Sequence, residues 1–325
     1  MDKKRLIILI VLFLTGISCI SSAVDLGIIT GSKQGTSFQF GQDMMKMAKQ
    51  YGFDILVYDS RGSVDNVYAV YNRPEIQMGI VQSDVLAFVL KVKTSYALRR
   101  IAKKIRMIFP LYDEEVHLLC GNKIHSFYDL KGKTVAVGKE GGGTYVTSRL
   151  LFEVSGIKPK KILNIGTEKA LSELKKGHID AMFFVSGFPV KLFSDNVVSG
   201  EGLHLVSITD KRITKFYPIA HIPSHTYPWQ SEAVNTVSVK AVLISFDFRQ
   251  NNCAHIGKFA GLVYSNMDLL RQNGHPKWKS VDLDYPFKEW KQYDCVKKYL
   301  HADLKKENSI ENNPLFQAIK KMLSS

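Results

Sequence analysis

Cysteine is scarce: four stand in 325 residues, and no two form a Cys-x-x-Cys. That argues against a dithiol redox centre and against a cysteine zinc site. No Gly-x-Ser-x-Gly elbow and no His-Glu-x-x-His occurs, so two common hydrolase signatures are missing. Gly132-Lys133-Thr134 lacks the upstream glycine of a P-loop and precedes its strand instead of following it. No Gly-x-Gly-x-x-Gly follows a strand. Beyond residue 23 no apolar run approaches the roughly 20 residues that cross a bilayer as a helix. Long basic runs are also missing. The formal net charge is +14, but the basic clusters (Arg99–Arg100, Lys103–Lys104, Lys160–Lys161, Lys297–Lys298, Lys320–Lys321) are two residues each. Charges scattered in this way read as solvated surface, not as a nucleic-acid tail. The sequence thus names no catalytic residue, no metal ligand set, no cofactor and no nucleic-acid partner.

What is present begins with a compartment signal. Lys3, Lys4 and Arg5 precede the apolar run Leu6–Leu14, and small residues end at Ser21-Ser22-Ala23. This order reads as a secretory signal peptide over residues 1–23, cleaved after Ala23, and implies a periplasmic protein. Cys19 suggests lipoprotein anchoring less well, because Gly16 stands where a lipobox needs a large aliphatic residue. In an oxidising compartment Cys253 and Cys295 form the favoured pair, and Cys120, in an apolar run, reads as a buried thiol.

The remaining chain is 45% hydrophobic over the whole sequence, enough to build a core, and its length suits two domains. Strands are expected at Leu26–Thr30, Asp54–Tyr58 and Met78–Val81. Each is followed by a loop and a helix, with Thr36 or Ser37, and then Ser63, as helix caps. The pattern restarts with separate strands at Ile105–Leu111 and Val116–Cys120. Thr134–Val137 follows, then a helix capped by Thr144, and strands at Lys161–Ile165 and Ala181–Val185. This rhythm predicts an α/β fold of two lobes, each a mostly parallel sheet flanked by helices. Lobe 1 is expected to be discontinuous, 24–112 with 217–325, and lobe 2 to span 113–216. The chain would cross near Tyr112–Asp113 and again near Phe216–His221.

Ligands of open parallel sheets bind outside the carboxyl ends of the strands. Three loops fall there: Gly31–Ser37, Ser60–Ser63 and Gly138–Thr144. Each leads into a helix whose first-turn N–H groups and dipole favour an anion. Arg61 could pair bidentately with a carboxylate. The acidic triplet Asp113, Glu114 and Glu115 reads as a solvated hinge face or a docking contact. His221 and His225 are poor metal ligands, since Pro223 lies between them.

The loops carry a resemblance. TGSKQGTSFQFG, RGSVDN, VQSDV, LYDEEV, DLKGKTVAVGKEGGGTYVTSRLL, FFVSGFP and IPSHTYPWQ occur in that order. Over most of residues 25 to 245 the sequence resembles the TAXI family of TRAP-transporter solute receptors. The resemblance implies a two-lobe, type II periplasmic-binding-protein fold and a receptor without enzymatic activity. Its expected partners are a small anionic solute, an amino acid or dicarboxylate, and the membrane permease subunits of a TRAP transporter; the chain itself is expected to be a monomer. Thr36, Ser37, Arg61, Ser63, Gln82, Gly142, Gly143 and Thr144 would line the cleft. The sequence departs from the family at Ser37, often aromatic there, at Lys33 and Gln34, at Arg61 and at Trp229. An exported enzyme, or a sensory or adhesive protein on the same scaffold, is the alternative.

Overall fold

The structure is a computed structural model that describes residues 24–91, 96–248, 252–287 and 290–300. The expected signal peptide lies outside the described residues. The chain runs β1 (Leu26–Ile29), α1 (Thr36–Lys49), β2 (Ile55–Tyr58), α2 (Ser63–Asn72), β3 (Met78–Gln82), α3 (Ser83–Lys91), α4 (Tyr96–Ala102) and β4 (Ile105–Gly121). It continues with β5 (Thr134–Ala136), α5 (Gly143–Ser155), β6 (Lys161–Leu163), α6 (Thr167–Lys175), β7 (Ala181–Ser186), α7 (Lys191–Asn196), β8 (Leu203–Leu205) and α8 (Lys211–Thr214). The last elements are β9 (Ile219–Ile222), β10 (Val234–Phe246), α9 (Cys253–Ser265) and α10 (Met267–Asn273).

The strands form one mixed sheet in the order β2-β1-β3-β10-β4-β7-β5-β6, with β8 beside β4 and β9 beside β10. At each end three strands are parallel: β2, β1 and β3 in one half, and β7, β5 and β6 in the other. Between them β10 is antiparallel to β3 and β4, and β4 is antiparallel to β7. Parallel sheets must be covered on both faces, and apolar strands such as β3 and β7, buried along their whole length, meet that requirement. Two clusters cover the faces of the first half, centred on Phe40, Met44 and Trp278 and on Val67, Val85 and Val242. Two more cover the second half, centred on Leu130, Leu151 and Phe183 and on Phe184, Phe193 and Tyr227.

Two expectations about the passage between halves are corrected. The expected strands Ile105–Leu111 and Val116–Cys120 are one strand, β4, which runs without a break through the acidic triplet. A charged run ends a strand only when it must reach solvent, and here it has internal partners. Lys240 pairs with Asp113, and Lys277 with Glu115. Tyr112 and Gln82 hydrogen-bond Glu114. Glu114 and Glu115 are therefore buried, 5% and 3% exposed, and do not form a solvated hinge face. The second passage also lies later than Phe216–His221. β9 pairs only with the start of β10; the chain returns along the middle of β10, where Ser238, Val239 and Lys240 face Glu115, Glu114 and Asp113 across the ladder.

Cys253 and Cys295 are bridged, with Cα atoms 5.4 Å apart, and Cys120 is a buried free thiol. Trp278 stacks on Phe40, and its indole N–H donates to Asp43 (2.9 Å), which fastens the segment after α10 onto α1. No helix among the described residues is long and apolar enough to cross a membrane.

Candidate ligand-binding site

Each of the three loops enters its helix through a glycine. Gly35, Gly62 and Gly142 occupy the cap positions of α1, α2 and α5. The hydroxyl residues expected to cap, Thr36, Ser63 and Thr144, sit one or two places inside, and none caps its own helix. Their side chains tie the loops to neighbouring strands instead. Ser63 Oγ accepts from the Gln82 N–H (3.0 Å), and Thr144 Oγ1 accepts from the Val185 N–H (3.1 Å). The Thr36 hydroxyl donates to the Gly187 carbonyl in the other half, while the Thr36 N–H donates to Ser186 Oγ (3.1 Å).

Glycine at the cap lets two backbones meet. Gly62 has φ +123°, a conformation that side chains rarely tolerate. A Cβ there would lie 3.1 Å from Gly142 Cα and from the Gly143 nitrogen. Across the same contact the Val64 and Asp65 N–H groups donate to the Gly141 carbonyl at 3.1 and 3.3 Å. Two first-turn amides of α2, expected to face an anion, are thus satisfied by the opposite half.

A cavity of about 110 Å³ lies where the three loops converge. Allowing roughly 10–15 Å³ per water-sized group, it has room for roughly seven to eleven of them, which suits a small molecule. Seven of the eight expected residues line it: Ser37, Arg61, Ser63, Gln82, Gly142, Gly143 and Thr144. Thr36 is the exception. It is fully buried, and its hydroxyl is spent on Gly187.

Arg61 is at the wall but not in the role expected of it. Its guanidinium makes a bidentate pair with Asp65, Nε to Oδ2 at 2.5 Å and an Nη to Oδ1 at 2.8 Å, on a side chain that is 61% exposed. The pairing is intrahelical in spacing, four residues apart, and leaves Arg61 at the mouth beside Lys139.

The floor holds an acid that the sequence reading put elsewhere. Glu114 lines the cavity; its Oε1 accepts from Tyr112 (3.0 Å) and its Oε2 from the Gln82 amide. Burial, reinforced by the nearby acids Glu115 and Asp84, pushes Glu114 up to about 7 despite these two donors. At neutral pH its carboxyl is therefore divided between both forms. The protonated form can donate to a ligand carboxylate, and the ionised form can receive an ammonium. The signal was available in the alternation of β4. If Asp113 and Glu115 face one side, Glu114 faces the other. Ser186 and Phe184 on β7 and Asn66 on α2 also line the cavity. Asn66 donates to the Thr30 and Ile80 carbonyls, so it braces the ends of β1 and β3. Among the described residues no group of three or more His, Cys, Asp or Glu could hold a metal ion.

The NMT1-like family model matches residues 28–288, the span that contains every loop of this cavity. The chain belongs to the NMT1-like family. Solved structures agree on the fold of this NMT1-like chain. Similarity to the periplasmic binding protein BugD reaches a TM-score of 0.54 at 9% identity, over 86% of this chain and 93% of that one. Similarity to a protein of Bordetella bronchiseptica RB50 reaches 0.50 at 16% identity, over 85% and 88%. The NMT1-like chain has the α/β fold of type II periplasmic binding proteins, with helices on both faces of a mixed sheet. At such identities the likeness concerns the fold.

Proposed function

We propose that the chain is an exported, TAXI-type solute receptor that captures a small carboxylate between its halves and delivers it to a TRAP-type permease. The observation that carries this reading is the polar cavity that receives the starting turns of α1 and α2 from one half and of α5 from the other. A ligand held there bridges the halves and favours the closed state through contacts it loses on opening. The moving bodies are the two halves, with β9 and the first part of β10 belonging to the second, hinged where β4 and β10 cross at Asp113–Glu115 and Ser238–Lys240. Ser37, Ser63, Gln82, Gly142, Gly143 and Thr144 shape the cavity, Lys139 draws anions to its mouth beside the Arg61–Asp65 pair, and Glu114 reads the ligand's second polar group. That group is an ammonium if the solute is an amino acid and a second carboxylate if it is a dicarboxylate. Residues 1–23 act as the signal that sends the chain to the periplasm.

The order of loop motifs, the family and the fold all support this reading. Native mass spectrometry of protein purified from the periplasm tests it. The expected result is a co-purified small carboxylate lost from a Gly143→Val variant. Periplasmic protein that carries no ligand and gains none from a carboxylate panel would contradict it.

A further inference from the structure

Side chains alternate along a strand, so the two crossing strands present opposite residues to opposite sides of the sheet. Glu114 faces the cavity described above, while Asp113 and Glu115 line a second one. Likewise Gln82 belongs to the first, and Ser83 and Asp84 to the second. This second cavity, about 820 Å³, is bounded by both halves and is independent of the proposed receptor site. Its walls are mainly apolar, with Phe88, Leu150, Val154, Phe216, Ile219 and Phe287 among them. Phe216 and Ile219 are 65% and 66% exposed, an arrangement that marks an interaction site more often than an idle surface.

The charges in its walls do not cancel. Lys240 is paired with Asp113 and lies 4.6 Å from the centre of the Tyr285 ring. Lys277 is paired with Glu115 and lies 3.9 Å from the centre of the Phe188 ring. Both cations are thus neutralised and covered by aromatic faces. Asp84 has no cationic partner among the described residues. Its Oδ2 accepts from Thr147 (2.8 Å) and Tyr217 (3.2 Å), and its buried Oδ1 has no hydrogen-bond partner. Asp84 is therefore the acid without a cationic partner in a mainly apolar chamber, which His221 also lines.

We infer that the second cavity binds an apolar organic cation, an amine on an aromatic or aliphatic body, with the ammonium near Asp84 and the body against Phe216 and Ile219. A carboxylate of the same shape would meet Asp84 as a like charge in a poorly hydrated wall and is rejected. Burial holds Asp84 up at about 6 in the absence of a cation, in keeping with a group that gains from a positive neighbour.

The test is calorimetric titration of the full chain with 2-(1-naphthyl)ethylamine and, separately, with 1-naphthylacetate, which shares the ring system and reverses the charge. The expected result is saturable binding of the amine, at least about tenfold tighter than any binding of the acetate. Asp84→Asn and Phe216→Ala should each weaken the amine about tenfold. Equal binding of amine and acetate, or binding of neither, overturns the inference on the wild-type chain alone. A folded Asp84→Asn variant with undiminished amine affinity overturns it as well.

Discussion

Gly62 of one half and Gly142 of the other stand so close that a single added methyl would bring carbon to 3.1 Å from the facing Cα. Under the proposed closure this contact would limit how far the halves approach, because no side chain intervenes on either side. Its neighbours reinforce it, with Gly141 accepting two N–H donors from the first turn of α2.

Gly62→Ala should therefore act twice. The φ of +123° strains any residue with a Cβ, at a cost of about 1–3 kcal/mol in stability. The added carbon should also hold the halves apart and weaken ligand binding by about tenfold or more. Melting curves and titration of the co-purified ligand measure the two effects. Unchanged affinity in a folded variant would show that the halves need not meet at this point.

Gly143→Ala is predicted to be still more specific. Its Cβ would fall 1.9 Å from Gln82 Oε1, so the Gln82 amide must leave its place between Glu114 and Thr147. Ligand affinity should drop more than for Gly62→Ala, with a smaller loss of stability, since the φ of Gly143 is not among the positive ones. Binding equal to wild type would show that Gln82 does not shape the ligand's pocket.

Much of the fold was legible because the strands are short, apolar and separated by glycine-bearing loops; β2, expected at Asp54–Tyr58, is found at Ile55–Tyr58. Six cavity residues lie in loops that were legible for the same reason, since the carboxyl ends of parallel strands determine where a cleft must open, while Gln82 was expected from the family resemblance. What escaped depended on tertiary partners. Asp113, Glu114 and Glu115 look like a solvent-facing triplet until Lys240, Gln82, Tyr112 and Lys277 are known to surround them. Arg61 looks free for a ligand until Asp65, one helical turn on, is seen to hold it. Thr36 looks like a cap until Gly187 takes its hydroxyl.

Stability should fall as pH rises from about 5 to about 7. Asp84, Glu114 and Glu115 are all raised by burial, Asp84 to about 6 and Glu114 to about 7. A raised acid binds more protons folded than unfolded between its two pKa values, so the slope of stability against pH is negative there. His117 opposes this below its ordinary value. Burial between Tyr227 and the Glu115 carbonyl lowers it to about 4, which adds stability as pH rises to about 6.5. His275, also lowered by burial, acts in the same sense; three acids outweigh these two histidines, and above 6.5 only the acids contribute. Glu114→Gln should flatten the slope and raise stability at pH 8 by about 1–3 kcal/mol. Denaturant titrations at pH 5, 6.5 and 8 decide it; a variant less stable than wild type at pH 8 would mean that Glu114 is ionised there at no cost.

The disulfide between Cys253 and Cys295 spans 42 residues and joins α9 to the segment that packs against it. Its removal by Cys253→Ala with Cys295→Ala should cost about 2–4 kcal/mol, chiefly by freeing the unfolded chain. Both residues are remote from the cavity loops, so ligand affinity of the folded double variant should stay within about twofold. A large loss of affinity would tie this segment to the site.

The central claim, that both halves grip a small carboxylate, is tested most directly by melting temperature against a panel of amino acids and dicarboxylates, using ligand-free refolded protein. At about one hundred times the dissociation constant a true ligand should add about 2.7 kcal/mol and raise the melting temperature by several degrees. Gly143→Val should abolish that rise. No shift with any member of the panel, or an equal shift in Gly143→Val, would contradict the account.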